Sequence, residues 1–328
     1  PVNMFHVSCY TLYVIRYTIF MFDTHCHLNF QSFKNNLNDV IKRARNVGVS
    51  HITIPSTDVN TSIDAVEIAQ NNNNIYSAVG IHPHHIFKFQ IPHPRHPREN
   101  GDPEQDWIPD PHFAKLRVAR QVGNDVFLFI NSELKEIKKL AKEKSVVAIG
   151  EIGLDRHYYS KTKYRDYQIN EDFLSLQKDF FIKQIEIAAE FKKSLILHNR
   201  EASDEFLEIF DKSWREEFKE QAVFNCCEPK KKLLDYAIAK KIFIGVDGDV
   251  TYSKQKEEFV KQIPLESLVL ETDSPFLTPE PIRSTVKFPN EPKNIQTIAE
   301  FIAKIKGVKL DDFKKTTFEN SKKLFNLN

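Results

Sequence analysis

Cysteine is scarce, at four in 328 residues. A disulfide-stapled scaffold is excluded, because such frameworks need a dense cysteine set. Cys9 and Cys26 stand alone, and Cys226 and Cys227 are adjacent, a poor geometry for an ordinary bridge. Reduced thiols in the cytoplasm or nucleus are the expectation. Net charge is nearly absent too: 46 Lys and Arg oppose 45 Asp and Glu, leaving +1. That excludes a polybasic, histone-like protein but not a local basic patch. No clean membrane-length run is present. The apolar stretch at 5–22 is broken by Arg16 and is followed by no small-residue cleavage site. Residues 1–20 are read as an apolar extension of open status, with Met21 as a plausible start; a signal anchor, and with it secretion, is the alternative. At 28% charged residues the chain does not read as a polytopic membrane protein. A Gly-rich phosphate loop is also missing. GEIGLD at 150–155 lacks G-x-G-x-x-G spacing, which argues against nucleotide-triphosphate chemistry.

What is present is alternation. Eight short apolar, β-branched runs recur: 22–27, 51–56, 75–80, 146–151, 195–198, 222–225, 241–246 and 268–273. Between them lie segments with apolar residues at helical spacing, such as LNDVIKRARNVG and LQKDFFIKQIEIAAEFKK. Strand alternating with amphipathic helix means a parallel sheet, and eight such units point to an α/β fold, a (β/α)8 TIM barrel. A barrel needs about 250 residues. The excess falls in the extension and in an insertion at about 86–130, dense in proline and charge, within a single domain spanning 21–328. His93, His96 and His112 in the insertion lack tight spacing and read as solvated.

Metal-capable residues sit at the C-terminal ends of these runs, where barrel enzymes build their sites. The first run ends in His25-Cys26-His27, the fourth in Glu151, the fifth in His198 and the eighth in Asp273. On a strand, residues i and i+2 share a face, so both imidazoles of the first run can point into the mouth while Cys26 turns away. Each residue alone has a bland explanation as a hydrogen-bonded core or cap residue. Five at one end of the barrel do not. Imidazole and carboxylate together suit Zn, Mn or Fe, and with water they tolerate Mg. Ligands grouped around a shared carboxylate suggest two divalent ions per chain, Mg, Mn or Zn, able to drive hydrolysis of a phosphodiester or carbonyl bond.

MFDTHCHL, VGIHPH, AIGEIGLD, LILHNREASDE, LVLETDSPFLTP and FPNEP, in that order and spacing, resemble the TatD family of metal-dependent deoxyribonucleases from about Met21 to the C-terminus. The resemblance implies a TIM barrel of the amidohydrolase-like kind that hydrolyses DNA, often as a 3′→5′ exonuclease. It implies metal ligation by His25, His27, Glu151, His198 and Asp273. Glu151 would bridge the two ions, and Asp273 would also orient or deprotonate the attacking water. One position departs. The family pattern F-H-C-F-S-G meets Phe224-Asn225-Cys226-Cys227-Glu228-Pro229, so Asn225 would offer a carbonyl oxygen in place of an imidazole. Asp247 and Asp249 likewise add carboxylates to a turn that is more neutral in the family. For substrate, the resemblance favours Arg200 and, through the His-Pro pair, His82. The loop at Arg156 and Tyr158 interleaves cations with rings, and Arg283 follows the eighth run. DNA is the expected partner, with no stable protein partner implied. The alternatives are an ester or amide substrate such as aminoacyl-tRNA, or a barrel weakened at Asn225.

Overall fold

The computed structural model describes residues 20–89, 125–164 and 166–327. Most of the extension, and His93, His96 and His112 of the insertion, lie outside the described residues. Eight strands form one parallel sheet in sequence order: β1 (Met21–Asp23), β2 (Val49–Ile54), β3 (Ile75–Val79), β4 (Val146–Asp155), β5 (Ser194–Arg200), β6 (Ala222–Phe224), β7 (Phe243–Val246) and β8 (Leu268–Leu270). The last strand returns to the first. Thr24 N donates to Leu270 O (3.0 Å), Asp273 N to His25 O (2.9 Å) and His27 N to Ser274 O (2.8 Å). The fold is the (β/α)8 barrel expected from the alternation.

Helices cover the outside: α1 (Leu37–Asn46), α2 (Val59–Gln70), α3 (Asp125–Leu140), α4 (Glu171–Phe191), α5 (Ser203–Lys212), α6 (Lys231–Lys240), α7 (Lys254–Gln262), α8 (Ile295–Lys306) and α9 (Leu310–Leu324). Each buries a stripe at helical spacing, as Val40, Ile41 and Ala44 do in α1. The edges of the insertion are regular structure. Pro83–Phe89 form a short 3-10 helix, and α3 begins at Asp125. Inside the barrel, Phe22, Ala78, Ala148, Ile196, Val223 and Val269 fill the N-terminal half. Leu324 and Phe325 at the end of α9 join the same cluster and plug that end. The open end is therefore the C-terminal one. α8 and α9 were not among the expected helices, although Ile295, Ile298, Ala299 and Ile302 fall at i, i+3, i+4 and i+7.

Strand ends differ from the runs. β1 stops at Asp23, so His25 and His27 lie beyond it; β6 stops before Asn225 and β8 before Asp273. β4 instead runs on to Asp155. Its register shifts between Ile149 and Ile152, which brings Glu151 and Asp155 to the inner face that Ala148 occupies lower down.

Candidate metal centre

Two side chains from α4 set the frame. Gln177 and Gln184, two turns apart and fully buried, reach back to the barrel rim. Gln177 accepts from Asp155 N (2.8 Å) and donates to Asp155 O (2.9 Å); Gln184 accepts from Ile81 N (2.7 Å) and donates to Ile81 O (3.1 Å). Backbone groups beside Asp155 and His82 are thus satisfied without water, which fixes both residues. Gly153 lets β4 approach β5. It has φ of +148°, and a Cβ there would meet His198 O at 1.8 Å.

Glu151 sits at the centre, 5% exposed, with one carboxylate oxygen turned to each of two groups. Its Oε2 lies 3.6 Å from His25 Nε2 and 3.9 Å from His27 Nε2. Asp273 Oδ1 stands 3.5 Å from each of the same nitrogens, which are 3.2 Å apart. His27 Nδ1 meets Pro55 O at 3.2 Å. The tautomer that donates there leaves the Nε2 lone pair facing the carboxylates, the usual way a ligating imidazole is fixed. On the other side, Glu151 Oε1 accepts from Asn225 Nδ2 (2.7 Å), contacts His198 Nδ1 at 2.9 Å and lies 3.9 Å from His82 Nε2. His82 packs edge-on against His198, with ring centroids 4.2 Å apart.

Electrostatics follow from burial and pairing. Burial alone would raise the Glu151 carboxyl, but His25, His82 and His198 hold it well below the usual range. Burial lowers His25 and, with the charge on His198, takes His82 well below the ordinary imidazole value. His27 is burdened by burial yet ends raised, through Asp273 and Glu151. His198 is the extreme case. Burial disfavours its charge, but hydrogen bonds to Asp155 (Nε2 to Oδ2, 3.1 Å) and Glu151 push it up to about 10. Asp155 in turn goes down to about 2 despite its burial, through His198 and Tyr159.

These residues fit divalent ions. His25, His27 and Asp273 present nitrogen and oxygen atoms within 4.8 Å of one another, and so do His82, Glu151 and His198. His25 Nδ1 and Asn225 Oδ1 are buried without a hydrogen-bond partner. Asn225 donates to Glu151 through Nδ2, so its unpartnered Oδ1 meets an ion at this side only once the amide turns over.

The structure thus brings His25, His27, Glu151, His198, Asn225 and Asp273 together. His82, read from the sequence as a substrate contact, stands among the ligand-capable groups. Arg200 is exposed; its Nη1 donates to Tyr159 Oη (3.1 Å) and its guanidinium lies 5.2 Å over that ring. Tyr159 Oη donates to Asp155 Oδ2 (2.7 Å), so Arg200 is connected to His198 through two side chains. The other expected substrate residues face different partners. Arg156 pairs with Glu205 (3.1 Å), Tyr158 is 62% exposed with its ring 6.0 Å from that of Tyr167, and Arg283 covers Tyr252 at 4.4 Å. Sequence reasoning gave no role to Asp155, although it shares the strand period with Glu151, and placed Tyr159 only among the rings of the substrate loop. It also passed over Asp23. That buried carboxylate accepts from Thr272 N (3.0 Å) and Oγ1 (2.6 Å), and so ties the turn carrying Asp273 to the end of β1.

A parallel eight-stranded barrel whose C-terminal mouth gathers histidines around shared carboxylates is the frame of a metal-dependent hydrolase. The chain belongs to the TatD related DNase family, whose sequence profile matches residues 22–326. It is 29% identical over 94% of its length to the whole of a Bacillus subtilis (strain 168) protein named uncharacterized metal-dependent hydrolase YabD. It is 28% identical, over 94% of its length and all of the relative, to an Erwinia tasmaniensis protein named 3′-5′ ssDNA/RNA exonuclease TatD. Among solved structures, the TatD homologue YJJV of Escherichia coli superposes with a TM-score of 0.72 at 21% identity, covering 95% of this chain and all of that one. A TatD family hydrolase from Entamoeba histolytica gives 0.68 at 20%, over 93% and 97%. At these identities the two structures speak to the fold. No helix among the described residues is long and apolar enough to cross a membrane.

Proposed function

We propose that this chain is a metal-dependent deoxyribonuclease that shortens a DNA strand from its 3′ end. The observation that carries the reading is the Glu151 carboxylate, which offers one oxygen to each of two ligand groups. His25, His27 and Asp273 would hold one divalent ion with it, and His198, His82 and Asn225 Oδ1 the other. Bound there, the ions supply Lewis acidity toward a phosphoryl oxygen and make water a nucleophile near neutral pH.

The chain's own residues do the rest. Asp273 is the one carboxylate of the centre with appreciable exposure, 17% at the side chain, so its Oδ1 can take a proton from an incoming water. Arg200 holds a positive charge at the rim, where charge develops on the phosphoryl oxygens. Rings lead outward from the centre. His27 stacks on Phe30 at 4.3 Å, Phe30 meets Phe276 at 6.2 Å, and Phe276 meets Phe288 at 6.2 Å. Phe276 and Phe288 are 45% and 56% exposed, a platform suited to unpaired bases. The relative named for ssDNA/RNA exonuclease activity supports both polarity and substrate.

End-labelled single-stranded DNA tests the reading, with Mg²⁺, Mn²⁺ or Zn²⁺ restored after EDTA. Stepwise shortening from the 3′ end with at least one metal is the expected result. No cleavage by folded protein with any of the three contradicts it and moves the substrate to an ester or amide such as aminoacyl-tRNA, which the same ligand set could hydrolyse.

A further inference from the structure

A second cluster lies outside the centre just described, on three adjacent strand ends. Cys226 comes two residues after β6, Asp247 immediately after β7 and Glu271 immediately after β8. The Cys226 thiol and one oxygen from each carboxylate lie within 4.8 Å of one another. Asp247 and Glu271 are wholly buried. Backbone amides hold one oxygen of each: Glu271 Oε1 accepts from Cys226 N at 2.5 Å, and Asp247 Oδ1 accepts from Asp249 N at 2.8 Å. The remaining oxygens, Glu271 Oε2 and Asp247 Oδ2, have no hydrogen-bond partner. Room for the Glu271 carboxylate exists only because residue 245 is glycine; a Cβ there would stand 2.3 Å from Oε2.

Full ionisation of the carboxylates here would leave the charges unbalanced. Lys256, 2% exposed, puts its Nζ 3.6 Å from Asp247 Oδ2 and 3.3 Å from Asp249 Oδ2. One ammonium against Asp247, Asp249 and Glu271 leaves two negative charges in excess when all are ionised. Buried charge without a counter-charge costs several kcal/mol per ion. Glu271 Oε2, beside the thiol, has no hydrogen-bond partner among the described residues, and Asp247 Oδ2 has only the Lys256 ammonium; a cation between them would satisfy both.

We infer that Cys226, Asp247 and Glu271 form a separate site for a divalent cation that tolerates sulfur, of the zinc class rather than the magnesium class. Sulfur with two carboxylates selects Zn²⁺, Co²⁺ or Cd²⁺ over Mg²⁺ or Ca²⁺. Binding converts the thiol to a thiolate and releases its proton to solvent. Three protein ligands leave a fourth tetrahedral position for water. Lys256 would give up its 3.6 Å approach to Asp247 Oδ2 and keep its pair with Asp249. The ion would brace two turns of the catalytic mouth, because Cys226 adjoins Asn225 and Glu271 lies two residues before Asp273. The site stands on its own geometry, whatever substrate the barrel takes.

Cadmium reads this site without any activity assay, since the ligand set around Glu151 contains no sulfur. The full chain is stripped with EDTA and titrated with Cd²⁺ while ultraviolet absorbance is followed. A saturable thiolate-to-metal charge-transfer band is expected. It should vanish in Cys226→Ser, persist in Cys26→Ser and Cys9→Ser, and need about tenfold or more Cd²⁺ in Asp247→Asn. If the native chain shows no band at saturating Cd²⁺, or if Cys226→Ser leaves it unchanged, the three groups share protons instead and the inference falls. Absence of a band in the native titration overturns the inference even if one variant fails to fold.

Discussion

The two sides of Glu151 are built differently. On the Oε2 side, two imidazoles and a carboxylate meet in a compact set, and the Pro55 carbonyl fixes the orientation of His27. On the Oε1 side, a histidine sits between two carboxylates and an asparagine donates an amide hydrogen to Glu151. Protons compete on both sides, since His27 is raised as well as His198, but the second side holds its proton more strongly and also carries the Asn225 amide hydrogens. A metal entering the second side must displace the proton of an imidazole at about 10 and turn the Asn225 amide so that Oδ1 faces inward. The account is therefore of ordered filling: the His25, His27 and Asp273 side first, the His198 side later and more weakly.

The largest expected effect comes from removing what the two sides share. Glu151→Gln should empty both and cut hydrolysis by about a thousandfold or more, since each ion supplies several kcal/mol of transition-state stabilisation. Metal content after dialysis and single-turnover rates check this; retention of both ions would break the comparison. Asp155→Asn acts on the second side alone. Loss of a charged partner that orients a ligating imidazole costs roughly 10–100-fold in metal affinity or activity. The same change should lower the His198 pKa from about 10, so the midpoint of pH-dependent metal binding should move down. In the unaltered chain, affinity at this side should rise with pH by up to about tenfold per unit below that midpoint, as the competing proton leaves. Isothermal titration at several pH values reads both effects.

Asn225→His should sharpen the comparison from the other direction. An imidazole in place of the amide should raise second-ion affinity by about tenfold or more, with the first ion unaffected. The smallest effect is a control outside the ligand set. Asp58 caps α2 by accepting from Thr61 N at 2.9 Å. Asp58→Ala should cost about 1 kcal/mol of stability, read by urea denaturation, and leave metal binding alone. Burial would raise the Asp58 carboxyl, but its hydrogen bonds to Thr61 leave it lowered. Its contribution is thus present above the ordinary carboxylate pKa and lost as pH falls through the lowered one. Acid should therefore shrink the difference between Asp58→Ala and the unaltered chain.

Much of this was legible in the sequence, for identifiable reasons. Period-2 runs alternating with period-3.6 segments dictate a parallel barrel, and barrel sites gather at C-terminal strand ends. His25, His27, Glu151, His198 and Asp273 could be named on that logic. Strand limits were not legible. His25, His27 and Asp273 lie beyond the ends of β1 and β8, in the turns whose backbone bonds close the barrel, and a register shift inside β4 sets which residues after Ile149 face inward. Asp155 was invisible because its partner, His198, is 43 residues away and on the next strand. The role of Gln177 and Gln184 was hidden likewise, since polar residues on a helix read as its solvent face until the packing shows otherwise. In the cluster at Cys226, Asp247 and Glu271, the sequence offers a candidate thiolate at Cys226, expected to turn away from Asn225, and added carboxylates at Asp247 and Asp249. No local spacing joins residues on three separate strand ends.

Manganese titration of the EDTA-stripped chain, followed by electron paramagnetic resonance, tests the unequal, Glu151-bridged centre most directly. The account predicts that the first equivalent gives the six-line spectrum of an isolated ion. Further metal should then convert it, at higher concentration, to the broadened signal of two ions coupled through one carboxylate. A coupled signal from the first equivalent onward, or two ions that never couple, would contradict it.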